Sequence, residues 1–111
     1  MFGFGSRTPV KTLSPTEARD LALKGAALLV DVRESGEWAS SRIAGAVHAP
    51  MSRLRELAPL LPQDRQIIFY CHSGARSAQA ISICQALGLP HDVHMGGGVI
   101  AWRAQGFPLT R

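Results

Sequence analysis

Two cysteines among 111 residues are too few for a disulfide framework. Nor do the two suit one another. If Cys84 lies two turns into a helix that starts near Arg76, the offset is roughly 12 Å at ~1.5 Å per residue, whereas a disulfide needs Cα atoms within about 7 Å. Two free thiols imply a reducing compartment, so a cytoplasmic protein is expected. Residues 1–14 contain no apolar stretch long enough for a signal peptide or a membrane span. Twelve Lys and Arg stand against eight Asp and Glu, but the basic residues are scattered, with no run and no interleaved aromatic stripe. A nucleic-acid partner and a membrane partner are therefore not expected. There is no Cys-x-x-Cys and no zinc-type spacing of His and Cys, so no metal is expected. His91 and His94 fall on a predicted strand, where residues three apart point to opposite faces. Gly96-Gly97-Gly98 is not a dinucleotide fingerprint, which needs G-x-G-x-x-G after the first strand of its unit. No cofactor is expected. The chain has no internal repeat and no low-complexity segment.

What is present suits one compact domain with one core, since 46% of the residues are hydrophobic. Residues 1–9 read as a loose tail rich in Gly, Ser and Pro, and 10–111 as the domain. Val10 to Leu13 suits a first short strand. Ser14-Pro15-Thr16-Glu17 is a capping box with proline at the first helical position; Ala18, Leu21 and Ala22 supply the apolar face and Gly25 stops the helix. Ala26 to Val32 is apolar on both faces, as an interior parallel strand is. Arg33 and Glu37 are placed to form a local ion pair around a short helical turn. Gly45 to Ala49 is a short strand, with His48 a hydrogen-bonded packing residue. Ser52 is expected to cap a helix through Leu60, with Leu54, Leu57, Leu60 and Leu61 facing in. Gln66 to Tyr70 is a strand, and Ser77 to Leu87 a helix with Ala80, Ile81, Cys84 and Leu87 on its inner stripe. His91 to Met95 is a fifth strand. The three glycines then turn the chain into a last helix carrying an inward Trp102, either by supplying positive φ or by letting the backbone pass close to another loop. This order predicts an α/β three-layer sandwich: a mostly parallel five-stranded sheet with helices on both faces.

One stretch carries chemistry: Ile67-Ile68-Phe69-Tyr70-Cys71-His72-Ser73-Gly74-Ala75-Arg76-Ser77-Ala78. A strand that runs through a tight loop into a helix aims backbone N–H groups inward, because a helix N-terminus has free donors. Such a concavity binds an anion. Ser73, Gly74 and Ala75 are small enough to let one approach. The helix end, Arg76 and His72 favour thiolate over thiol at Cys71. Without an anion, or a salt bridge to a loop carboxylate such as Asp31 or Glu37, Arg76 would be an uncompensated buried charge. In open α/β sheets, sites lie outside the carboxyl ends of the strands, where Cys71 stands and where Asp31 also ends its strand. Asp31, Arg33 and Glu37 read first as a polar network tying loops down, and second as substrate contacts.

These residues resemble the active-site loop of the rhodanese-like family. Leu29-Val30-Asp31-Val32-Arg33-Glu34, Glu37-Trp38 and Ile43-Ala44-Gly45-Ala46-Val47-His48-Ala49-Pro50 look like its upstream signature. Gly96-Gly97, Ala101-Trp102, Gly106 and Pro108 look like its C-terminal one. The resemblance implies a cysteine that carries sulfur as a persulfide cradled by the amides of about His72 to Ser77, with Cys71 and Arg76 catalytic and Asp31 and Arg33 supporting. Cys71 to Arg76 is C-x4-R, one residue shorter than the C-x5-R of cysteine phosphatases and some arsenate reductases. The shorter loop makes a tighter cup, suited to one sulfur rather than a whole oxyanion. Within the family, as the resemblance implies, this length belongs to sulfurtransferases and the longer loop to dual-specificity phosphatases. The implied partners are a small sulfur-donor anion such as thiosulfate and an acceptor that is cyanide, a thiol or a protein cysteine. Two alternatives stand beside this: a non-catalytic binding or regulatory module, and a cysteine-dependent phosphatase or arsenate reductase. One departure from the family pattern is Arg42, where a histidine usually precedes the Ile-x-Gly-Ala element.

Overall fold

The computed structural model describes residues 9–111; most of the expected tail, residues 1–8, lies outside the described residues. The core strands are set by the two longest apolar runs. β2 (Ala27–Asp31) is buried at every position, and β4 (Gln66–Tyr70) at all but its first. They lie side by side in parallel register, Leu29 opposite Ile68 and Val30 opposite Phe69. β3 (Val47–His48) adds to the far side of β2, while β5 (Val93–Met95) and then β1 (Lys11–Leu13) add to β4. The sheet order is β1-β5-β4-β2-β3, with every pair parallel.

Alternation along these strands divides the apolar residues between two faces. Leu28, Val30, Ile67 and Phe69 pack with Leu54 and Ala58 of one helical segment and with Ala80, Ile81 and Cys84 of α4 (Ala75–Ala86). Leu29, Ile68 and Tyr70 pack with Ala18 of α1 (Pro15–Leu23) and with Val99 and Trp102 of α5 (Gly98–Ala104). Helices therefore cover both faces, in the three layers the strand and helix order predicts. Ile68 and Phe69 are fully buried, each worth roughly 1.5–3 kcal/mol relative to exposure. Among the described residues no helix is long and apolar enough to cross a membrane.

Local signals explain where elements begin. Ser14 Oγ accepts from Glu17 N at 3.1 Å and Glu17 Oε1 from Ser14 N at 2.9 Å, so the capping box starts α1 as its residues require. The segment after Pro50 departs from expectation. It is a 3₁₀ turn (Met51–Arg53), a single α turn, α3 (Leu54–Leu57), and a second 3₁₀ turn (Ala58–Leu60). Ser52 lies inside the first turn and caps nothing; its hydroxyl donates to Glu34 Oε1 at 2.7 Å. Tightening to three residues per turn rotates the face, and Leu60 ends up 77% exposed while Leu54 and Leu61 stay buried. The later helix also differs. α4 starts at Ala75, two residues before Ser77, which brings Arg76 and Ser77 into its first turn, and it ends at Ala86, so Leu87 is an exposed C-cap rather than part of the inner stripe.

Candidate active site

β4 delivers Cys71 to the carboxyl rim of the sheet, where the side chain is 1% exposed. The chain then turns through Gly74, whose φ of +111° lies outside the range a side chain tolerates. That turn points two backbone donors back at the sulfur: Gly74 N–H at 3.0 Å from Sγ and Ser77 N–H at 3.4 Å. Burial alone would push the thiol up. The Ser77 amide and hydroxyl, with the amides of Gly74 and Ser73, outweigh that and hold Cys71 below its ordinary value. Among the described residues Cys84 has no such donors, and burial pushes it up to about 11. Both cysteines are free. One is prepared to ionise and the other is core.

The loop is fastened from behind by α5. Val99 N–H donates to the Cys71 carbonyl at 2.9 Å and Ile100 N–H to the His72 carbonyl at 3.1 Å. So close an approach needs Gly98, because a Cβ there would collide with those same two carbonyl groups. Of the two roles open to the three glycines, both are filled: Gly97 and Gly98 have positive φ, and Gly98 passes against the loop.

The charged residues sort into two separate pairs. Arg76 Nη1 and Nη2 donate to the two carboxylate oxygens of Glu37, on α2 (Ser35–Ser40), at 2.6 and 2.9 Å. The Arg76 hydrogen bond holds Glu37 down at about 2. Both side chains are about one third exposed, so Arg76 is neither buried nor uncompensated. Arg33 does not pair with Glu37 in a direct bridge. Its guanidinium instead bonds Asp31 at 3.0 and 2.7 Å, with the two side chains 4% and 0% exposed. Two residues of separation at a strand end let Arg33 fold back onto Asp31, and the Arg33 amide bonds the same carboxylate. Arg33 also donates to the Ser41 carbonyl, and its own carbonyl binds His48 Nε2 at 2.8 Å. His48 stacks on Trp38 with ring centroids 4.7 Å apart. Asp31 and Arg33 therefore tie together the loops that follow β2 and precede β3. Arg42 also lies over Trp38, 4.6 Å from its ring centroid, and its backbone pairs with Thr110.

Of the remaining loop residues, His72, Ser73 and Ala75 are exposed. Ser77 is fully buried, and its hydroxyl reaches three groups: the Cys71 sulfur at 3.7 Å, the Gly74 carbonyl at 3.1 Å and His94 Nδ1 at 2.7 Å. His94 Nε2 in turn lies 3.1 Å from Thr12 Oγ1. Sequence reasoning considered His94 only as a metal ligand and missed this contact. Its one sequence signal was a histidine on a buried strand beside a parallel neighbour.

A profile of the rhodanese-like domain matches residues 14–105. The chain belongs to the rhodanese-like family. It is similar to the Mycobacterium tuberculosis protein named "Probable adenylyltransferase/sulfurtransferase MoeZ", 40% identical over 97 residues that make up 85% of this chain. Those residues are 25% of that relative, so this chain spans about a quarter of its length. A sulfurtransferase of Allochromatium vinosum is 38% identical over 83 residues, covering 75% of this chain and 78% of that one. Among solved structures, a Rhodopseudomonas palustris protein of unknown function, described as a possible tyrosine phosphatase, superposes with a TM-score of 0.81 at 30% identity. It covers 91% of this chain and 85% of its own. Membership in the rhodanese-like family accords with the parallel sheet and with helices on both faces.

Proposed function

We propose that this rhodanese-like chain is a sulfurtransferase that carries one sulfur as a persulfide on Cys71. The observation that carries the reading is the cup itself: a sulfur that accepts hydrogen bonds from Gly74 and Ser77 amides, in a loop with only four residues between Cys71 and Arg76. The Cys71 thiolate attacks the outer sulfur of thiosulfate. The new S–S bond forms as the old one breaks, and sulfite leaves with the electron pair. The anionic outer sulfur then rests against the loop amides, which are already aimed and need no rearrangement. Cyanide attacks that sulfur and departs as thiocyanate, and the electron pair of the broken bond returns to Cys71. A thiol, free or on a protein, does the same and leaves as a persulfide, bringing its own proton.

In this reading Arg76 acts mainly as a clamp. Its bidentate grip on Glu37 fixes the first turn of α4 against α2, and its charge favours the Cys71 thiolate. His72 and Ala75 line the exposed rim, where His72 meets the donor; Asp31 and Arg33 support the neighbouring loops. The reaction needs no metal and no cofactor. Two free cysteines suit the cytoplasm.

Intact mass tests this. After thiosulfate the protein should gain one sulfur atom, cyanide should remove it, and Cys71→Ala should never gain it. No gain from any of several sulfane donors, with hydrolysis of an aryl phosphate instead, would favour the phosphatase. Neither reaction would favour a binding module.

A further inference from the structure

Thr12, His94, Ser77 and Cys71 form one line of polar side chains drawn from β1, β5, α4 and the end of β4. The contacts are 3.1 Å from Thr12 Oγ1 to His94 Nε2, 2.7 Å from His94 Nδ1 to Ser77 Oγ, and 3.7 Å from Ser77 Oγ to Cys71 Sγ. Thr12 is exposed on the edge strand, whereas Cys71, Ser77 and His94 are buried. The Gly74 carbonyl, 3.1 Å away, is a second acceptor for the Ser77 hydroxyl, but the histidine contact is the shorter.

Counting protons restricts what this line can do. Ser77 has one hydrogen, and a neutral imidazole has one N–H and one lone pair. While Cys71 is a thiol, S–H donates to Ser77 Oγ, Ser77 O–H to Nδ1, and Nε2–H to Thr12 Oγ1. Once Cys71 is a thiolate, the sulfur only accepts, so Ser77 O–H turns towards it. The 2.7 Å contact to Ser77 then persists only with the proton on Nδ1, leaving Nε2 to accept from Thr12 O–H. Both arrangements satisfy every group on the line.

We propose that His94 is a tautomeric relay for Cys71, passing from the Nε2–H to the Nδ1–H form as the thiol ionises. The S–H bond breaks as a Ser77 O–H bond forms. The original Ser77 proton moves to Nδ1, the Nε2 proton moves to Thr12, and the Thr12 proton goes to water. One proton leaves at the edge strand, the ring stays neutral, and no electron changes hands. Burial holds His94 below its ordinary value, which favours a neutral ring throughout. The charges around the line are engaged elsewhere: Arg76 of α4 with Glu37 of α2, and Asp92 beside β5 with Lys11 of β1. Phe69 of β4 is the register neighbour of His94 and brings no charge. With Cys71 1% exposed, the relay provides a proton path that does not use the mouth where donor and acceptor arrive. His94 is in this sense a positioning residue, setting which way the Ser77 hydroxyl points.

The inference rests on Cys71 as the thiol that ionises, and not on what the thiolate attacks. Nitrogen-15 spectra of the histidine side chains in the full chain test it, recorded from roughly pH 5 to 10, with Cys71 ionisation followed in parallel by its alkylation with iodoacetamide. The two ring nitrogens of His94 should exchange their protonated and unprotonated shifts at the midpoint of the thiol titration. In Cys71→Ser, whose hydroxyl does not ionise in this range, and in Ser77→Ala, one tautomer should persist. A single tautomer in the wild type while Cys71 ionises would overturn the relay, and so would an imidazolium forming in step with the thiolate or an exchange that survives in Cys71→Ser. The mass experiment on the same samples separates the two proposals. Loss of the cyanide-removable sulfur would sink the sulfurtransferase and leave the tautomer exchange standing.

Discussion

Replacing Gly98 with alanine perturbs the nucleophile without touching a catalytic side chain. Gly98 has a φ of +57°, and a Cβ there would meet the Cys71 carbonyl oxygen and the His72 carbonyl group. A side chain in the left-handed region costs roughly 1–2 kcal/mol, and forcing a methyl into packed backbone adds about 1–3 kcal/mol. The expected loss is therefore about 2–5 kcal/mol, out of a total of roughly 5–15 kcal/mol for a domain of this kind. Gly88→Ala supplies the control. Gly88 also has positive φ, +75°, but nothing lies within 4 Å of where its Cβ would be, so it should lose only the conformational part, about 1–2 kcal/mol. The difference between the variants isolates the collision with the loop. Urea unfolding would measure it, at unchanged m-value. The same collision must lift the Cys71 carbonyl off Val99 N–H and turn the sulfur away from its amides, so iodoacetamide should alkylate Cys71 at neutral pH several-fold more slowly in Gly98→Ala than in Gly88→Ala. Equal losses of stability, with unchanged alkylation, would refute the claim that α5 holds the loop in place.

Two further outcomes follow from buried groups. Asp31→Ala leaves Arg33 buried at 4% exposure without its carboxylate, and should cost about 3–5 kcal/mol in denaturant unfolding; a loss no larger than that of an exposed pair would contradict the buried network. His91 is buried edge-on to Phe69 with an unpartnered Nε2, and burial lowers its pKa in the folded state. The unfolded chain thus binds the proton more readily, so stability should fall as pH drops below about 6.5. His91→Leu should flatten part of that acid loss, His94 retaining the rest. An unchanged pH dependence would argue against the His91 share.

How far the sequence led depended on the range of each interaction. The runs through Ala27–Val30 and Ile67–Tyr70 declare buried parallel strands because every position is apolar, and Ser14 and Glu17 declare a helix start three residues apart. The loop length from Cys71 to Arg76 is likewise local. Partners distant in sequence were harder to find. Ser52 looked like a cap, but its hydroxyl is taken by Glu34, 18 residues earlier. Arg33 looked placed for Glu37, yet Asp31 offered a closer, drier carboxylate; of the two carboxylates open to Arg76, Asp31 and Glu37, it is Glu37, 39 residues away, that Arg76 holds. The His94 contacts join residues 17 and 82 positions apart, and no periodicity or spacing marks such a pair.

The position of β5 also dictates an order of assembly. Among the described residues the first strand has no neighbour except the last, Lys11 meeting Val93, so the sheet cannot close until β5 has been synthesised. The amides of Val99 and Ile100 arrive later still. In the growing chain Cys71 is made before the residues that anchor its backbone. Until α5 docks, the loop that aims the Gly74 and Ser77 amides at the sulfur is unfastened, and the chemistry of Cys71 waits for that helix.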